Sequence, residues 1–80
     1  MHYVYLLRSI NHLDQKYSGV TDDLRKRLAE HNAGKSIHTN KFKPWRLVTY
    51  IAFDTRTKAD AFEKYLKQGT GHAFAKKHFW

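Results

Sequence analysis

The sequence predicts an α/β fold of the α+β type, in which a small three-stranded antiparallel sheet is flanked by helices in the order ββαβαα. Three observations predict it. Aromatic and branched residues cluster in three short runs, two segments have helical periodicity with capping residues, and glycines stand where helices would stop. With 80 residues the chain has material for one core. We therefore expect a single domain over residues 1–80.

The first two runs predict a β-hairpin. Residues 3–7 and 16–20 are short, aromatic and aliphatic, and the polar segment between them suits a generous loop. Antiparallel pairing about that loop would place Tyr5 opposite Tyr17 and Gly19 near Tyr3. Taken alone, the two tyrosines indicate no more than ordinary cross-strand packing.

The first helix is expected to follow the hairpin directly. Thr21 or Asp22 can cap its N-terminus, and Gly34 follows its expected end. Residues 35–44 are polar and basic without periodicity, which predicts a loop.

The second half of the chain predicts one strand and two helices. Residues 45–53 are rich in aromatic and branched side chains and predict the third strand. Thr55 or Thr57 begins the next helix; Thr57 has an aspartate three positions later, which resembles a capping box. This helix stops at Gly69, and residues 71–80 predict a final short helix.

The charge balance favours a polyanionic partner. Fifteen Lys and Arg against seven Asp and Glu give a net charge of +8, and basic surfaces bind phosphate backbones by releasing counterions. General solubility is the alternative explanation. The chain has no cysteine, which excludes disulfides and thiolate zinc sites. We see neither a signal peptide nor an apolar run near the ~20 residues of a membrane span, so we expect a cytoplasmic protein.

The first two predicted helices carry candidates for chemistry at the edges of their apolar stripes. Arg27 and His31 are four residues apart and can present a fixed cation and an imidazole to one ligand, or can merely cover the edge of the core. Glu63 lies on the flank of the second helix, beside Ala59 and Leu66. It is either a salt-bridge partner or a ligand for Mg²⁺, which commonly uses only one or two carboxylates.

Five segments together resemble the GIY-YIG nuclease superfamily. Residues 3–8 (YVYLLR) are similar to its GIY element and residues 16–21 (KYSGVT) to its YIG element. The family's Arg and His helix, third strand and Glu helix correspond to residues 23–32, 44–50 and 61–67. The order is kept over nearly the whole chain. The likeness is closest to small stand-alone members, which are similar to the catalytic domain of the bacterial excision-repair incision subunit.

The sequence departs from the family pattern at four points. Tyr3 stands where the GIY element has its glycine, and Val4 and Ser18 replace the isoleucines. No asparagine follows Glu63, although some members have one there. The change at Tyr3 affects packing, whereas the missing asparagine removes one auxiliary contact that some family members have.

The resemblance implies a divalent-metal-dependent endonuclease that hydrolyses a phosphodiester bond in DNA or RNA. Tyr17, or alternatively Tyr5, would act as the general base or orient the attacking water. Arg27 would stabilise charge on the phosphate, His31 would assist by hydrogen bonding or proton transfer, and Glu63 would hold a single Mg²⁺ or Mn²⁺ ion.

The expected partner is a nucleic acid, with DNA favoured over RNA, and the expected state is a monomer. The rival hypothesis is a non-catalytic nucleic-acid-binding module, and a targeting protein partner is a third option. The residues expected to contact the nucleic acid are basic: Lys16, Lys35, His38, Lys41, Lys43 and Lys67.

Overall fold

The sheet has three antiparallel strands. The computed structural model describes every residue, 1–80, and contains β1 (His2–Ser9), β2 (Lys16–Thr21) and β3 (Trp45–Phe53) in the order β2-β1-β3. The predicted fold class is confirmed. β1 is central, and its side chains between Val4 and Leu7 are all buried, because helices cover both faces of the sheet.

The register of the hairpin differs from the expected one by two residues. Tyr5 pairs with Gly19, Tyr17 with Leu7, and Tyr3 with Thr21. The expectation that Tyr5 faces Tyr17 and that Gly19 lies near Tyr3 was therefore wrong. A shift of two residues keeps every side chain on its original face of the sheet, so the hydrophobic pattern cannot detect it.

The first helix, α1 (Leu24–Asn32), begins after an aspartate cap. The side chain of Asp23 accepts a hydrogen bond from the Lys26 N–H at 3.1 Å. The expected caps, Thr21 and Asp22, were therefore wrong by one or two positions; the Thr21 hydroxyl instead accepts from the Asp23 N–H. After the helix, Gly34 takes a φ of +78°, a conformation that ends helices and favours glycine.

The second helix, α2 (Arg56–Leu66), is capped by Thr55, whose hydroxyl accepts from the Lys58 N–H at 3.2 Å. The alternative start at Thr57 was wrong, because Thr57 already lies inside the helix. Its supposed capping-box partner, Asp60, instead pairs with Arg56 at 3.0 Å.

The last helix, α3 (Gly69–His78), begins two residues earlier than expected. The predicted loop at 35–44 also contains a single 3₁₀ turn, Asn40–Phe42. None of the helices is long and apolar enough to cross a lipid bilayer.

Two apolar clusters lie on opposite faces of the sheet. Because side chains alternate along β1, Val4 and Leu6 face α2 and α3, whereas Tyr5 and Leu7 face α1. The first cluster is completed by Ala59, Leu66 and Ala75, and the second by Trp45. The second cluster contains the tyrosine on which the candidate site is built.

Candidate active site

The hydroxyl of Tyr5 is the centre of a hydrogen-bonded group between β1 and α1. It lies 3.0 Å from Nε2 of His31 and accepts a hydrogen bond from Nε of Arg27 at 3.2 Å. Tyr5 is only 3% exposed. The spacing of Arg27 and His31 on one edge of α1 brings both side chains to the same hydroxyl, as the helical period requires.

Gly19 makes this arrangement possible. It lies opposite Tyr5 in the sheet, and a Cβ at this position would lie 2.5 Å from the Tyr5 hydroxyl oxygen and 2.7 Å from Cζ. Glycine is required here for space, since its φ is not in the left-handed region. The tyrosine side chain therefore crosses β2 where that strand has no side chain.

His31 is completely buried, and both of its ring nitrogens have partners within the protein. Nδ1 lies 2.6 Å from the Thr39 hydroxyl, and Nε2 contacts Tyr5. Burial, and after it the positive charge of Arg27, lower the pKa of His31 below 6.5. The ring is therefore neutral at pH 7, with one nitrogen donating and the other accepting. A phosphate cannot reach it without displacing Tyr5 or Thr39.

The two tyrosines have different surroundings. Burial raises the pKa of Tyr5 above 10, against the opposing effect of the Arg27 hydrogen bond; repulsion from Tyr17 and Glu63 adds smaller increases. Tyr17 is half-buried, with its ring centroid 5.1 Å from that of His31 and 6.3 Å from that of Tyr5. It also lines an open cavity. Tyr17 is thus the more accessible of the two.

Arg27 retains part of its guanidinium for a ligand. Nε is used by Tyr5, and Nη1 lies 3.4 Å from Oε1 of Glu30. Nη2 has no hydrogen-bond partner, and about a third of the side chain is exposed. The hydrogen bond with Tyr5 raises the pKa of Arg27 further above its usual value, so the side chain stays cationic.

Glu63 approaches β2 from the face of the sheet opposite to that of Arg27 and His31. The hydroxyl of Ser18 donates to Oε2 at 2.8 Å, and Nζ of Lys67 lies 2.8 Å from the same oxygen. The side chain is 14% exposed, and Oε1 has no hydrogen-bond partner. Ser18 directly follows Tyr17 along the edge strand β2, and successive side chains of a strand point to opposite faces of the sheet. The Glu63 carboxylate, which is bound to Ser18, and the Tyr17 side chain therefore lie on opposite faces of β2.

The donor set around Glu63 fits one hard cation with few protein ligands. No cluster of three or more His, Asp or Glu side chains is available to enclose an ion. A single carboxylate with one free, accessible oxygen fits Mg²⁺ or Mn²⁺, because such ions keep several waters and take further oxygens from a bound phosphate. The negative charge of Glu63 is at present balanced by Lys67.

The six basic residues expected to contact nucleic acid lie in two places. Lys16 and Lys67 line the cavity beside Tyr17. The other four are exposed on the segment between α1 and β3: Lys35, His38, Lys41 and Lys43. That segment is fixed to the site through Thr39, whose hydroxyl contacts His31 and whose carbonyl accepts from the indole N–H of Trp45 at 2.8 Å.

Sequence reasoning missed two residues that hold the site together. Thr39 lies in the middle of the predicted loop, and no local pattern marks it as buried. Ser18 was noted only as a departure from the YIG element. A hydroxyl at a position where the family has an aliphatic side chain was the available signal that this position has a polar partner.

Comparison with known proteins agrees with this geometry. Residues 1–77 match the sequence model of the GIY-YIG catalytic domain, so the chain belongs to the GIY-YIG family, which is a family of nucleases. Among its relatives, a UPF0213 protein of Haloquadratum walsbyi is 37% identical over 70 residues, covering 86% of this chain and 76% of the relative. A UPF0213 protein of Streptococcus pyogenes serotype M3 is 37% identical over 67 residues, covering 82% and 71%.

A solved structure shows the same fold. The solution NMR structure of a UPF0213 protein from Bacillus halodurans superimposes with a TM-score of 0.54 at 30% identity, covering 94% of this chain and 79% of that one. These similarities support a small GIY-YIG domain with a nucleic acid as substrate.

Proposed function

We propose that this protein is a metal-dependent endonuclease that hydrolyses a phosphodiester bond in DNA, with Tyr17, Arg27 and Glu63 in contact with the substrate or the metal. The observation that supports the proposal is that three groups lie around β2, with Tyr17 and Arg27 on the face of α1 and Glu63 on the face of α2. An accessible tyrosine, a partly free guanidinium and a carboxylate with an open oxygen come from three different elements. Pure binding of a polyanion does not require a carboxylate there.

Each side chain has a distinct part in the reaction. Tyr17 orients or deprotonates the attacking water, and the free nitrogen of Arg27 neutralises charge on the phosphate oxygens. Glu63 would hold one divalent ion, with Ser18 and Lys67 orienting the carboxylate through its other oxygen. That ion, when bound, supplies Lewis-acid stabilisation of the leaving oxygen.

Tyr5 and His31 are better suited to positioning than to contact with the substrate. Both are buried, and the Tyr5 hydroxyl is already engaged by Arg27 and His31. His31 therefore acts through Tyr5, which fixes the guanidinium of Arg27. This argues for Tyr17 over Tyr5 as the residue that handles the water.

The experiment is a cleavage assay on labelled single-stranded, duplex, nicked and branched DNA, with an RNA set, in Mg²⁺, Mn²⁺ or EDTA. Glu63→Gln should abolish cleavage and weaken Mn²⁺ binding measured by electron paramagnetic resonance. Asp60→Asn is the matched control, since it removes an exposed carboxylate from the same helix. Tyr17→Phe should reduce the rate by about 10²–10⁴-fold while preserving binding.

Two outcomes would overturn parts of this proposal. A larger loss in Tyr5→Phe than in Tyr17→Phe would transfer the role of base to Tyr5. Tight binding without cleavage on every substrate, with Mg²⁺ and with Mn²⁺, would favour the non-catalytic binding module instead.

A further inference from the structure

A cavity of about 290 Å³ opens beside the Glu63 carboxylate, and three of its lining residues, Lys16, His72 and Trp80, have no part in the proposed reaction. It lies between the start of β2, the end of α2, α3 and the ring of Trp80. The polar residues that line it are Lys16, Lys67 and His72, together with Tyr17 and Ser18, and no Asp or Glu is among the lining residues. A concave surface with these donors suits an anion.

The positive charge at this cavity is concentrated by the sheet itself. Arg8 and Lys16 are direct partners in the β1–β2 register, on the same face. Like charges placed opposite each other destabilise a strand pair. Neither residue forms an ion pair with an Asp or Glu side chain, and Nε of Arg8 is buried without an acceptor. No acidic side chain therefore balances this pair of cations at this end of the sheet.

Trp80 holds these cations in place. The Arg8 guanidinium carbon is 5.7 Å and Lys16 Nζ is 5.2 Å from the indole centroid, and Nη2 of Arg8 donates to the Trp80 carbonyl at 3.3 Å. Cation–π contact at these distances orients a side chain that would otherwise be mobile. Lys16 is therefore an ammonium fixed at a cavity wall that also offers an aromatic surface.

We infer that this cavity binds the backbone phosphate of a nucleotide flanking the cleaved bond, with Lys16 and His72 contacting the phosphate and Trp80 the adjoining sugar or base. Ammonium groups contact phosphate as point charges, and aromatic rings give base contact without reading sequence. The inference rests on the proposed nuclease function for the identity of the strand. It adds that the enzyme engages DNA beyond the scissile phosphate itself.

The test measures binding, so that it does not depend on cleavage. The Glu63→Gln protein is titrated with fluorescent DNA from 50 to 200 mM salt, alone and with Lys16→Met or His72→Gln added. Methionine keeps the unbranched stem of Lys16 on the indole. Adding Lys16→Met removes one cation and should lower the slope of log affinity against log salt, by up to about 0.7 for single strands or 0.9 for duplex, whereas adding His72→Gln should lower the affinity itself. Lys77→Met removes an exposed cation of α3 outside the cavity and serves as the control.

A methylphosphonate scan of the same DNA then locates the contact. Neutralising one particular phosphate should weaken binding to the parent protein but have little further effect on the Lys16→Met protein, and in a DNA that the wild type cleaves this phosphate should flank the cut. Equal sensitivity of both proteins at every position would overturn the inference, as would an equal loss of slope in the Lys77→Met control. If the wild type cleaves DNA and either of those results is obtained, the nuclease function is supported but the role of this cavity is not. If the scan gives the expected result but the wild type cleaves no DNA, the phosphate site in the cavity is supported and the nuclease function is not.

Discussion

At the scale of single residues, the contact between Gly19 and Tyr5 couples the edge strand to the site. The tyrosine hydroxyl can reach Arg27 and His31 only because β2 has no side chain under the ring. A glycine in a strand interior normally weakens it, so its presence here is explained by the close approach of another group.

We expect Gly19→Ala to displace the Tyr5 ring and to break both of its hydrogen bonds. Overpacking of this kind costs about 1–3 kcal/mol of unfolding free energy, measured by urea denaturation. Cleavage should fall with it, because Arg27 loses its anchor. In a Tyr5→Leu background the same alanine should cost much less. Additive costs in the double variant would show that the two side chains do not clash.

His31 gives the protein a pH-dependent stability. The unfolded imidazole takes up a proton near pH 6.5, whereas burial lowers the pKa of the folded ring. Between these two values the unfolded state binds more protons, so stability falls as the pH drops below 6.5 and is fully present above it.

The expected result is a smaller difference in unfolding free energy between pH 7.5 and pH 5.5 for His31→Gln than for the wild type. Urea denaturation at the two pH values measures it. His38→Gln, which removes an exposed imidazole from the neighbouring loop, should keep the wild-type difference. An unchanged pH dependence in His31→Gln would show that other groups are responsible for it.

At the residue scale, the sequence could single out candidate site residues but not the residues that support them. Arg27, His31 and Glu63 could be selected because each lies at the edge of a recognisable helical stripe. Thr39 and Ser18 could not, because their partners are 8 and 45 positions away in the chain and depend on tertiary packing. Local patterns carry no information about such pairs.

At the scale of elements, the strands and helices were predicted in the correct order, and the bounds of β3 matched the expected 45–53. The errors were in helix bounds and in strand register; the helix expected to stop at Gly69 ends at Leu66, and Gly69 begins α3. Several threonines and aspartates stand near each helix start, and each of them can cap a helix in isolation. Which one does so is decided by where the preceding strand leaves the sheet.

The two threonines at the start of α2 provide a direct test of this point. Thr55→Ala should cost about 1 kcal/mol, because it removes the acceptor for the Lys58 N–H. Thr57→Ala should lie within about 0.5 kcal/mol of the wild type, since Thr57 is exposed within the helix. Thermal or urea unfolding of both variants measures the difference. A larger cost for Thr57→Ala than for Thr55→Ala would indicate that Thr57 caps the helix.

At the scale of the whole molecule, most of the positive charge has no partner. Four carboxylates form ion pairs with four of the fifteen Lys and Arg residues. Mutual repulsion among the remaining cations favours binding to a polyanion but destabilises the compact chain. This property follows from composition, and it could be predicted without any structure.

Salt should therefore have opposite effects on folding and on binding. Raising the salt concentration from 10 to 200 mM should raise the melting temperature in the absence of nucleic acid, because screening weakens the repulsion. A gain of about 1 kcal/mol corresponds to roughly 4–8 °C for a domain of this size. Affinity for DNA should fall over the same range. A melting temperature that decreases with salt would indicate that attractive ion pairs dominate instead.

The central position of β1 has a consequence for synthesis on the ribosome. The strand made first needs β3 as its neighbour, and their pairing joins His2 to Phe53. Its cover on one face also needs Ala75, from the last helix. The nascent chain therefore exposes an apolar β1 until the residues of α3 have been translated. Ribosome pausing or premature termination before α3 should produce fragments that chaperones retain and proteases remove.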